Sequence, residues 1–159
     1  MSIEITPRGT TGAGIPRFLQ PIMRLGMRSM VGRFRRRHGD MSMNGQPLVL
    51  IATIGAKSGE KRETLVNCFP DRDSTTSWIV TATAGAAASH PSWFLNMAAH
   101  PDQVWMQLGE RRMHVRPETL AGAEREAAWA RIVSLAPSFG PYPGKTDRQI
   151  PVIRLTAID

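Results

Sequence analysis

The chain has 159 residues, of which 42% are hydrophobic, and a formal net charge of +7. This length predicts one domain that is large enough to bury a hydrophobic core. No apolar run reaches the roughly 18 residues of a membrane-spanning helix, and the N-terminus lacks the apolar stretch of a secretory signal. We therefore expect a cytoplasmic protein, in keeping with its single cysteine, Cys68, which we expect to be buried and inert.

The positive charge is concentrated near the N-terminus. Residues 1–40 hold eight arginines and two carboxylates, a net charge of +6, whereas the remaining 119 residues hold twelve cations and eleven carboxylates. Residues 1–14 are rich in threonine and glycine without periodicity, and we expect them to be disordered. Residues 15–40 predict a basic amphipathic arm with an arginine stripe opposite a broad apolar face. The stripe consists of Arg17, Arg24, Arg28 and Arg35, and the apolar face of Phe18, Leu19, Ile22, Met23, Met30 and Phe34.

A helix of this kind is typical of a membrane surface or a partner groove. We therefore expect the arm to associate with an anionic membrane, at the inner face of the plasma membrane. The alternative is that the apolar face covers the protein's own core. The pattern suits a nucleic-acid duplex poorly, and no nucleic acid is expected as a partner.

The rest of the chain, residues 41–159, predicts a mainly β, α+β domain. Strand-like segments lie at about 47–54, 62–69, 77–82, 103–108, 111–116 and 150–155. Helices are predicted from Pro91 to about His100 and from Glu118 to about Leu135. Residues 136–144 contain three prolines and two glycines, which predicts an irregular loop. About six antiparallel strands, mostly linked by hairpins, predict a small barrel with helices packed outside.

The loop that joins the first two strands, residues 55–62, is the strongest functional signal. It carries three cations (Lys57, Lys61 and Arg62), the Ser58 hydroxyl and two glycines. Cations, a hydroxyl and exposed backbone N–H groups in one tight turn form an anion site suited to a phosphate. An ordinary solvated basic hairpin is the alternative.

Two further segments are candidates for ligand contact. Residues 83–88 are all tiny apart from Thr83, so a flat ring or a pyrophosphate can approach their backbone closely. In the following segment, Trp93 and Phe94 either line an aromatic ligand or belong to the core, and Asn96 is placed to hold a loop carbonyl. The four histidines lack the spacing of metal ligands, so no metal site is expected. Neither the P-loop motif nor the Rossmann glycine motif is present, so a nucleotide site of either kind is not expected.

Taken in order, these segments resemble the deazaflavin-dependent nitroreductase family, split β-barrel oxidoreductases that use coenzyme F420. The family pattern is T-x-G-R-K-S-G-x-x-R at the end of a strand, then A-S-x-G-G, P-x-W-Y-x-N, P-x-V-x-V and T-D-R-x-I-P. The matching segments here are residues 53–62, 82–86, 91–96, 101–104 and 146–151. The resemblance extends in register from about residue 47 to the C-terminus.

The resemblance implies an F420-dependent oxidoreductase. Its reduced deazaflavin would pass hydride to a hydrophobic, electron-poor acceptor such as a quinone, a conjugated enone or a nitro compound. It also implies that one group of residues holds the phosphate and acidic tail, and another the deazaflavin ring. The first group is Lys57, Ser58, Gly59 and Arg62, and the second is Thr83, Ala84, Gly85, Pro91, Ser92 and Trp93.

Two aromatic residues in the 136–144 loop are the candidate catalytic residues, because in the family this loop supplies aromatic side chains to the substrate pocket. Tyr142 would donate a hydrogen bond to the acceptor oxygen that gains negative charge, and Phe139 would stack on a planar acceptor. The alternative is a loop whose aromatic rings only seal the barrel.

The chain departs from the family pattern at four positions. Ala56 replaces an arginine, Ala84 a polar residue, Ala86 a glycine and Phe94 a tyrosine. The missing arginine removes a charge-assisted hydrogen bond of about 1.5–3 kcal/mol. Two alternatives therefore stay open: a cofactor-free split barrel that binds a lipid or another hydrophobic molecule, and a relative that uses flavin mononucleotide (FMN). A homodimer is also open.

Overall fold

The computed structural model describes residues 2–72 and 74–158. The helices of these residues are α1 (Gln20–Arg36), α2 (Ser92–Ala99), α3 (Gly122–Leu135) and the short α4 (Tyr142–Lys145). The strands are β1 (Ser42–Met43), β2 (Gln46–Ile54), β3 (Lys61–Asn67), β4 (Phe69–Pro70), β5 (Ser77–Thr81), β6 (Trp105–Leu108), β7 (Arg111–Thr119) and β8 (Val152–Ala157). None of these helices is long and apolar enough to cross a membrane.

All strand pairings among the described residues are antiparallel. The order is β3-β2-β6-β7-β8-β5-β4, with β1 paired to the start of β2. This curled sheet is the barrel that the hairpin pattern predicted. Its interior holds Val49 and Ile51 of β2, together with Val115 of β7 and Leu155 of β8. The near-continuous apolar run of β2 is explained by burial on both faces, because the opposite face carries Leu50 under α1.

Helix α1 has two different halves. In its C-terminal half, Val31 and Phe34 are buried against Leu50 and Leu65 of the sheet. In the N-terminal half and the turn before it, Phe18 is 77% exposed, Ile22 64% and Leu25 67%. The predicted apolar face therefore covers the barrel only through its C-terminal residues.

The structure corrects three predictions about local structure. Residues 2–14, expected to be disordered, follow the barrel surface, because the Ser2 carbonyl accepts a hydrogen bond from the Thr119 amide and Gly9 donates one to Ala88. The supposedly irregular residues 136–144 contain a 3-10 turn at Pro137–Phe139 and then α4. Strand β7 continues through the expected helix start, because Glu118 and Thr119 pair with Arg154 and Ile153 of β8.

The sole cysteine is placed as predicted. Cys68 is 2% exposed, and burial raises the pKa of its thiol to about 12. A thiol with so high a pKa stays protonated near neutral pH and is a poor nucleophile.

Candidate active site

The basic turn between β2 and β3 is fixed by its own backbone. Gly55 N–H donates to the Glu60 carbonyl (2.8 Å), Gly59 N–H donates to the Gly55 carbonyl (2.9 Å), and Glu60 N–H donates to Ser58 Oγ (3.2 Å). A Cβ at position 55 would lie 2.4 Å from Ser58 Oγ, so a larger residue there would have to displace the serine hydroxyl that accepts from Glu60. Gly59 has a φ of +70°, which glycine adopts without strain.

Two amides of this turn take no part in these bonds. Among the described residues, the backbone N–H groups of Lys57 and Ser58 have no acceptor. Consecutive free N–H groups in a turn form a concave site for an anion. These N–H groups are therefore candidates, together with the cationic side chains, for the predicted anion site.

Helix α2 anchors the turn through Asn96, which is only 8% exposed. The Ala56 N–H donates to Asn96 Oδ1 at 3.0 Å. The sequence predicted that Asn96 would donate a hydrogen bond to a loop carbonyl. In the structure the bond has the opposite direction, because Asn96 accepts from a loop N–H. The amide oxygen is the group in use, because the turn presents an N–H at this point.

A groove of about 1140 Å³ opens beside the turn, with α1, the basic turn, β3 and the start of α2 as its walls. Six cations and one carboxylate line it: Arg24, Arg28, Arg35, Lys57, Lys61, Arg62 and Glu63. Glu63 forms an ion pair with Arg35 and lies 3.8 Å from Lys61 Nζ. Arg62 lies 3.4 Å from Glu60, and both side chains are largely exposed. The groove therefore has a strong positive potential, because one lining carboxylate cannot balance six cations.

The floor of the groove carries an unsatisfied hydroxyl. Thr53, at the end of β2, is 1% exposed, and within the described residues its Oγ1 has no hydrogen-bond partner. An unpaired buried hydroxyl costs about 1–3 kcal/mol, so it favours a ligand atom that completes the bond. Thr53 also lines the groove.

A second feature is the turn at residues 84–86, within the tiny-residue segment. Ala84, Gly85 and Ala86 have φ angles of 48°, 61° and 62°. This left-handed region costs an L-residue such as alanine roughly 1–2 kcal/mol. The turn therefore needs support from outside its own backbone.

Arg148 provides that support. It is 3% exposed and donates to the carbonyls of Ala87 (Nε, 2.9 Å), Ala82 (Nη1, 3.0 Å) and Thr83 (Nη2, 2.7 Å). Its Nη1 also lies 2.9 Å from His90 Nδ1. A guanidinium can only donate, so His90 Nδ1 accepts, and its Nε2–H donates to the Thr6 carbonyl at 2.8 Å. Burial, and then the charge of Arg148, lower the pKa of His90, which favours this neutral ring.

The predicted catalytic residues have different environments. Phe139 is 4% exposed and packs edge-on against Phe69, with ring centroids 5.4 Å apart. It belongs to the core, so the predicted stacking on an acceptor is not available to it here. Tyr142 is half-buried, packs edge-on against Phe139, and lies on α4, which contacts the 84–86 turn. Among the described residues, its hydroxyl has no hydrogen-bond partner.

The structure thus divides the predicted site residues between two places. Lys57, Ser58, Arg62, Ser92 and Trp93 line the groove, Gly59 shapes the turn, and Pro91 is the N-cap of α2. Thr83, Ala84 and Gly85 lie in the second turn, which leads through residues 87–91 into α2. The sequence assigned no site role to Arg24, Arg28 or Arg148. A signal for the first two was present, because the helical projection had already placed them on one stripe.

Comparisons with known proteins agree with this architecture. A model of the F420H(2)-dependent quinone reductase family matches residues 26–157. Rv3178 of Mycobacterium tuberculosis is 32% identical over 109 residues, which cover 69% of this chain and 88% of the relative. The F420H(2)-dependent quinone reductase Rv1261c of the same organism is 29% identical over 115 residues, which cover 69% and 73% of the two chains.

Two solved structures share the fold. The structure of the F420-H2 dependent reductase FDR-A is 35% identical, with a TM-score of 0.60 over 69% of this chain and 93% of that one. A second structure, described as a domain-swapped dimer, is 31% identical, with a TM-score of 0.62 over 85% and 98% of the two chains. The predicted split barrel and the predicted cofactor class are confirmed, and the chain belongs to the F420H(2)-dependent quinone reductase family.

Proposed function

We propose that this protein is an F420-dependent oxidoreductase that passes hydride from the reduced deazaflavin to a quinone or a similar hydrophobic, electron-poor acceptor. In this proposal the phosphate and acidic tail of the cofactor occupy the basic groove, and its ring lies toward the 84–86 turn. The observation that carries the proposal is the groove itself, where six cations face one carboxylate beside free backbone amides.

The residues present fit such a cofactor. The free N–H groups of Lys57 and Ser58 suit phosphate oxygens, and the orphaned Thr53 hydroxyl supplies one more donor. Because Ala56 stands where the family pattern has arginine, the turn itself carries one cation fewer than that pattern. Arg24 and Arg28 of α1 bring cations from the opposite wall, and no carboxylate pairs with either within the described part of the chain.

The chain's own contribution to catalysis is position and electrostatics. When bound, F420 supplies the hydride chemistry. The basic turn, held to α2 by Asn96, fixes the anionic end, and the 84–86 turn offers a backbone surface without large side chains to a flat ring. The Tyr142 hydroxyl is the proposed donor to the acceptor oxygen that gains charge, a role worth about 2.7–4 kcal/mol for a well-placed donor.

The test is a fluorescence titration of F420 against the purified protein at low salt, with FMN titrated separately. We expect Lys57→Ala and Arg62→Ala each to weaken F420 binding about tenfold, because each loses a charge-assisted bond, with melting temperatures nearly unchanged. The matched control is Arg111→Ala, which removes an exposed arginine of β7 outside the groove.

Each outcome of this titration has one meaning. Equal affinities in all variants, or an equal loss in Arg111→Ala, contradict the site assignment. Tighter binding of FMN than of F420 favours the FMN alternative, and binding of neither favours a cofactor-free barrel.

We also propose that the N-terminal end of α1 rests on an anionic membrane surface. Its support is the exposure of Ile22 and Leu25 in α1 and of Phe18 in the turn before it, with the exposed Arg17 next to Phe18. Each cation near such a surface adds about 1 kcal/mol, and exposed apolar side chains add further affinity. A hydrophobic acceptor would reach the protein from the same membrane.

Co-sedimentation with phosphatidylglycerol vesicles and with neutral phosphatidylcholine vesicles tests this membrane contact. We expect binding to the anionic vesicles only, and its loss in the double variant Phe18→Ser/Leu25→Ser. The control is Leu135→Ser, which replaces an exposed leucine of α3. Equal vesicle binding by all three proteins contradicts the proposal. If a homodimer interface covers these side chains instead, the mass in solution should be that of a dimer for the wild type and that of a monomer for the double variant.

A further inference from the structure

We propose that Arg148 is a positioning residue for the cofactor ring, and that its guanidinium holds the left-handed turn at residues 84–86 in the shape that receives the ring. The proposal rests on the proposed function, because it takes this turn as the ring-binding surface. It adds a residue that lies outside the groove and to which the sequence assigned no role.

The first argument is the geometry around one guanidinium. Three of its nitrogen atoms reach three different carbonyls, those of Ala82, Thr83 and Ala87, at 2.7–3.0 Å. These carbonyls flank the turn on both sides. The two ends of the turn are therefore fastened to one rigid planar group, which leaves little freedom to the residues between them.

The second argument is that the turn would not hold this shape unaided. Ala84 and Ala86 both have left-handed φ angles, and Ala86 stands where the family pattern has glycine. Among the described residues, two backbone hydrogen bonds close the turn: Ala86 N–H donates to the Thr83 carbonyl, and Ala87 N–H donates to the Ala84 carbonyl. In this chain, alanine at position 86 increases the dependence of the turn on an external clamp.

The third argument is the unusual environment of the charge. Arg148 is almost fully buried, and no carboxylate forms an ion pair with it in the described ranges. Carbonyl oxygens and His90 Nδ1 take the place of a counter-ion. Burying an arginine without a carboxylate is costly, so a hydrophobic side chain would be the simpler choice if only packing were needed.

The N-terminal segment reinforces the clamp from the outside. His90, which accepts from Arg148, donates to the Thr6 carbonyl, and Gly9 donates to Ala88. The next residue to Arg148, Asp147, accepts hydrogen bonds from the amides of Thr10 (2.8 Å) and Thr11 (2.9 Å). The N-terminal segment thus contacts both the residues that follow the turn and the residue next to Arg148.

The experiment measures the affinity of two probes: F420 and the deazaflavin analogue that keeps the ring and ribityl chain but has no phosphate. The test variant is Arg148→Lys, which keeps the charge but cannot reach three carbonyls at once. The matched control is Arg154→Lys, because Arg154 is a second, partly buried arginine near the C-terminus, paired with Asp71 (2.6 Å) and Glu124 (2.7 Å) away from the turn.

We expect Arg148→Lys to weaken both probes about tenfold, because both contain the ring, while Arg154→Lys leaves both affinities within about twofold. Adding Ala86→Gly to Arg148→Lys should recover most of the loss, since glycine adopts this φ without strain. Lys57→Ala should weaken F420 alone. A role of Arg148 in overall stability alone predicts a lower melting temperature, with the affinity of the folded variant for both probes unchanged.

Unchanged affinity of folded Arg148→Lys for the phosphate-free probe overturns the proposal, as does an equal loss in Arg154→Lys. If Arg148→Lys does not fold, His90→Ala replaces it: this variant keeps the arginine but removes one acceptor, and a loss of about threefold is expected for both probes. Unchanged affinities in that variant overturn the proposal equally. Failure of the wild-type protein to bind F420 is a different result, which overturns the proposed function itself.

Discussion

The basic groove and the 84–86 turn hold the two ends of one proposed ligand by opposite means. The groove uses exposed charges, with six cations spread over α1, the basic turn and β3. The turn uses neutral backbone, fastened by one buried arginine. Exposed cations supply long-range attraction and affinity, whereas a rigid backbone supplies position. If the proposed placement holds, substitutions in the groove should change cofactor affinity, and substitutions at the turn should change its alignment.

The largest effect that separates the two regions is expected from salt. Raising ionic strength shortens the Debye length from about 10 Å at 0.1 M to about 3 Å at 1 M, so it screens the groove cations. We expect F420 affinity to fall steeply over this range and the phosphate-free analogue to bind almost equally well throughout. Fluorescence titrations at several salt concentrations measure both. Parallel salt dependence of the two probes would contradict the division.

A smaller effect is expected from Asn96→Ala, which removes the link between α2 and the basic turn. A buried hydrogen bond lost from one side costs about 1–3 kcal/mol, so the melting temperature should fall and F420 affinity should fall with it. Asn96→Asp keeps the acceptor oxygen and is the control for the bond itself. Thermal unfolding and titration of the two variants measure the effect. A normal melting temperature in Asn96→Ala would show that the link is dispensable.

Ala86→Gly in the wild-type background tests the strain in the second turn. Glycine removes a left-handed penalty of about 1–2 kcal/mol but loses a buried methyl group worth about 0.8 kcal/mol. We expect a stabilisation below about 1 kcal/mol, measured by urea unfolding, with F420 affinity unchanged while Arg148 is present. The control is Ala87→Gly, at a position with a negative φ of −63°, which should destabilise instead.

The smallest effect concerns the N-terminal segment. The hydroxyl of Thr10, and then the amide of Thr11, hold the pKa of Asp147 down to about 2. A carboxyl with a lowered pKa keeps its bonds above its ordinary pKa of 3.8 and loses them as the pH falls through about 2. The amide NMR signals of Thr10 and Thr11 should therefore titrate near pH 2. Titration of these signals near pH 4 would show that the contact is weak.

Much of this architecture is visible in the sequence because local patterns decide it. Alternating and continuous apolar runs predicted the strands, and the glycines of residues 55–62 predicted the turn between β2 and β3. The motif that contains Thr146 and Asp147 was recognised, but the contacts of Arg148 could not be predicted. They join residues that lie about sixty positions apart in sequence, and only the folded backbone brings their carbonyls together.

The environments of α1 and of Phe139 could not be predicted either, because they also depend on contacts between residues far apart in sequence. The arginine stripe of α1 was detected, but which surface it faces depends on where Val31 and Phe34 pack, and this turns Arg24 and Arg28 toward the groove. Phe139 could not be distinguished from a substrate contact, since an aromatic residue in a proline-rich loop fits either role. Its contact with Phe69 of β4 places it in the core, and that contact joins residues about seventy positions apart in sequence.

The central claim is that F420 binds with its anionic end on the basic turn and its ring on the 84–86 turn. Backbone amide NMR shifts of the wild-type protein, recorded with F420 and with the phosphate-free analogue, test this most directly. The account predicts that F420 shifts the amides of Lys57, Ser58 and Gly85, and that the analogue shifts Gly85 alone. Amide shifts confined to the separate cavity between α3 and β5, around Ile79 and Ile132, would contradict it.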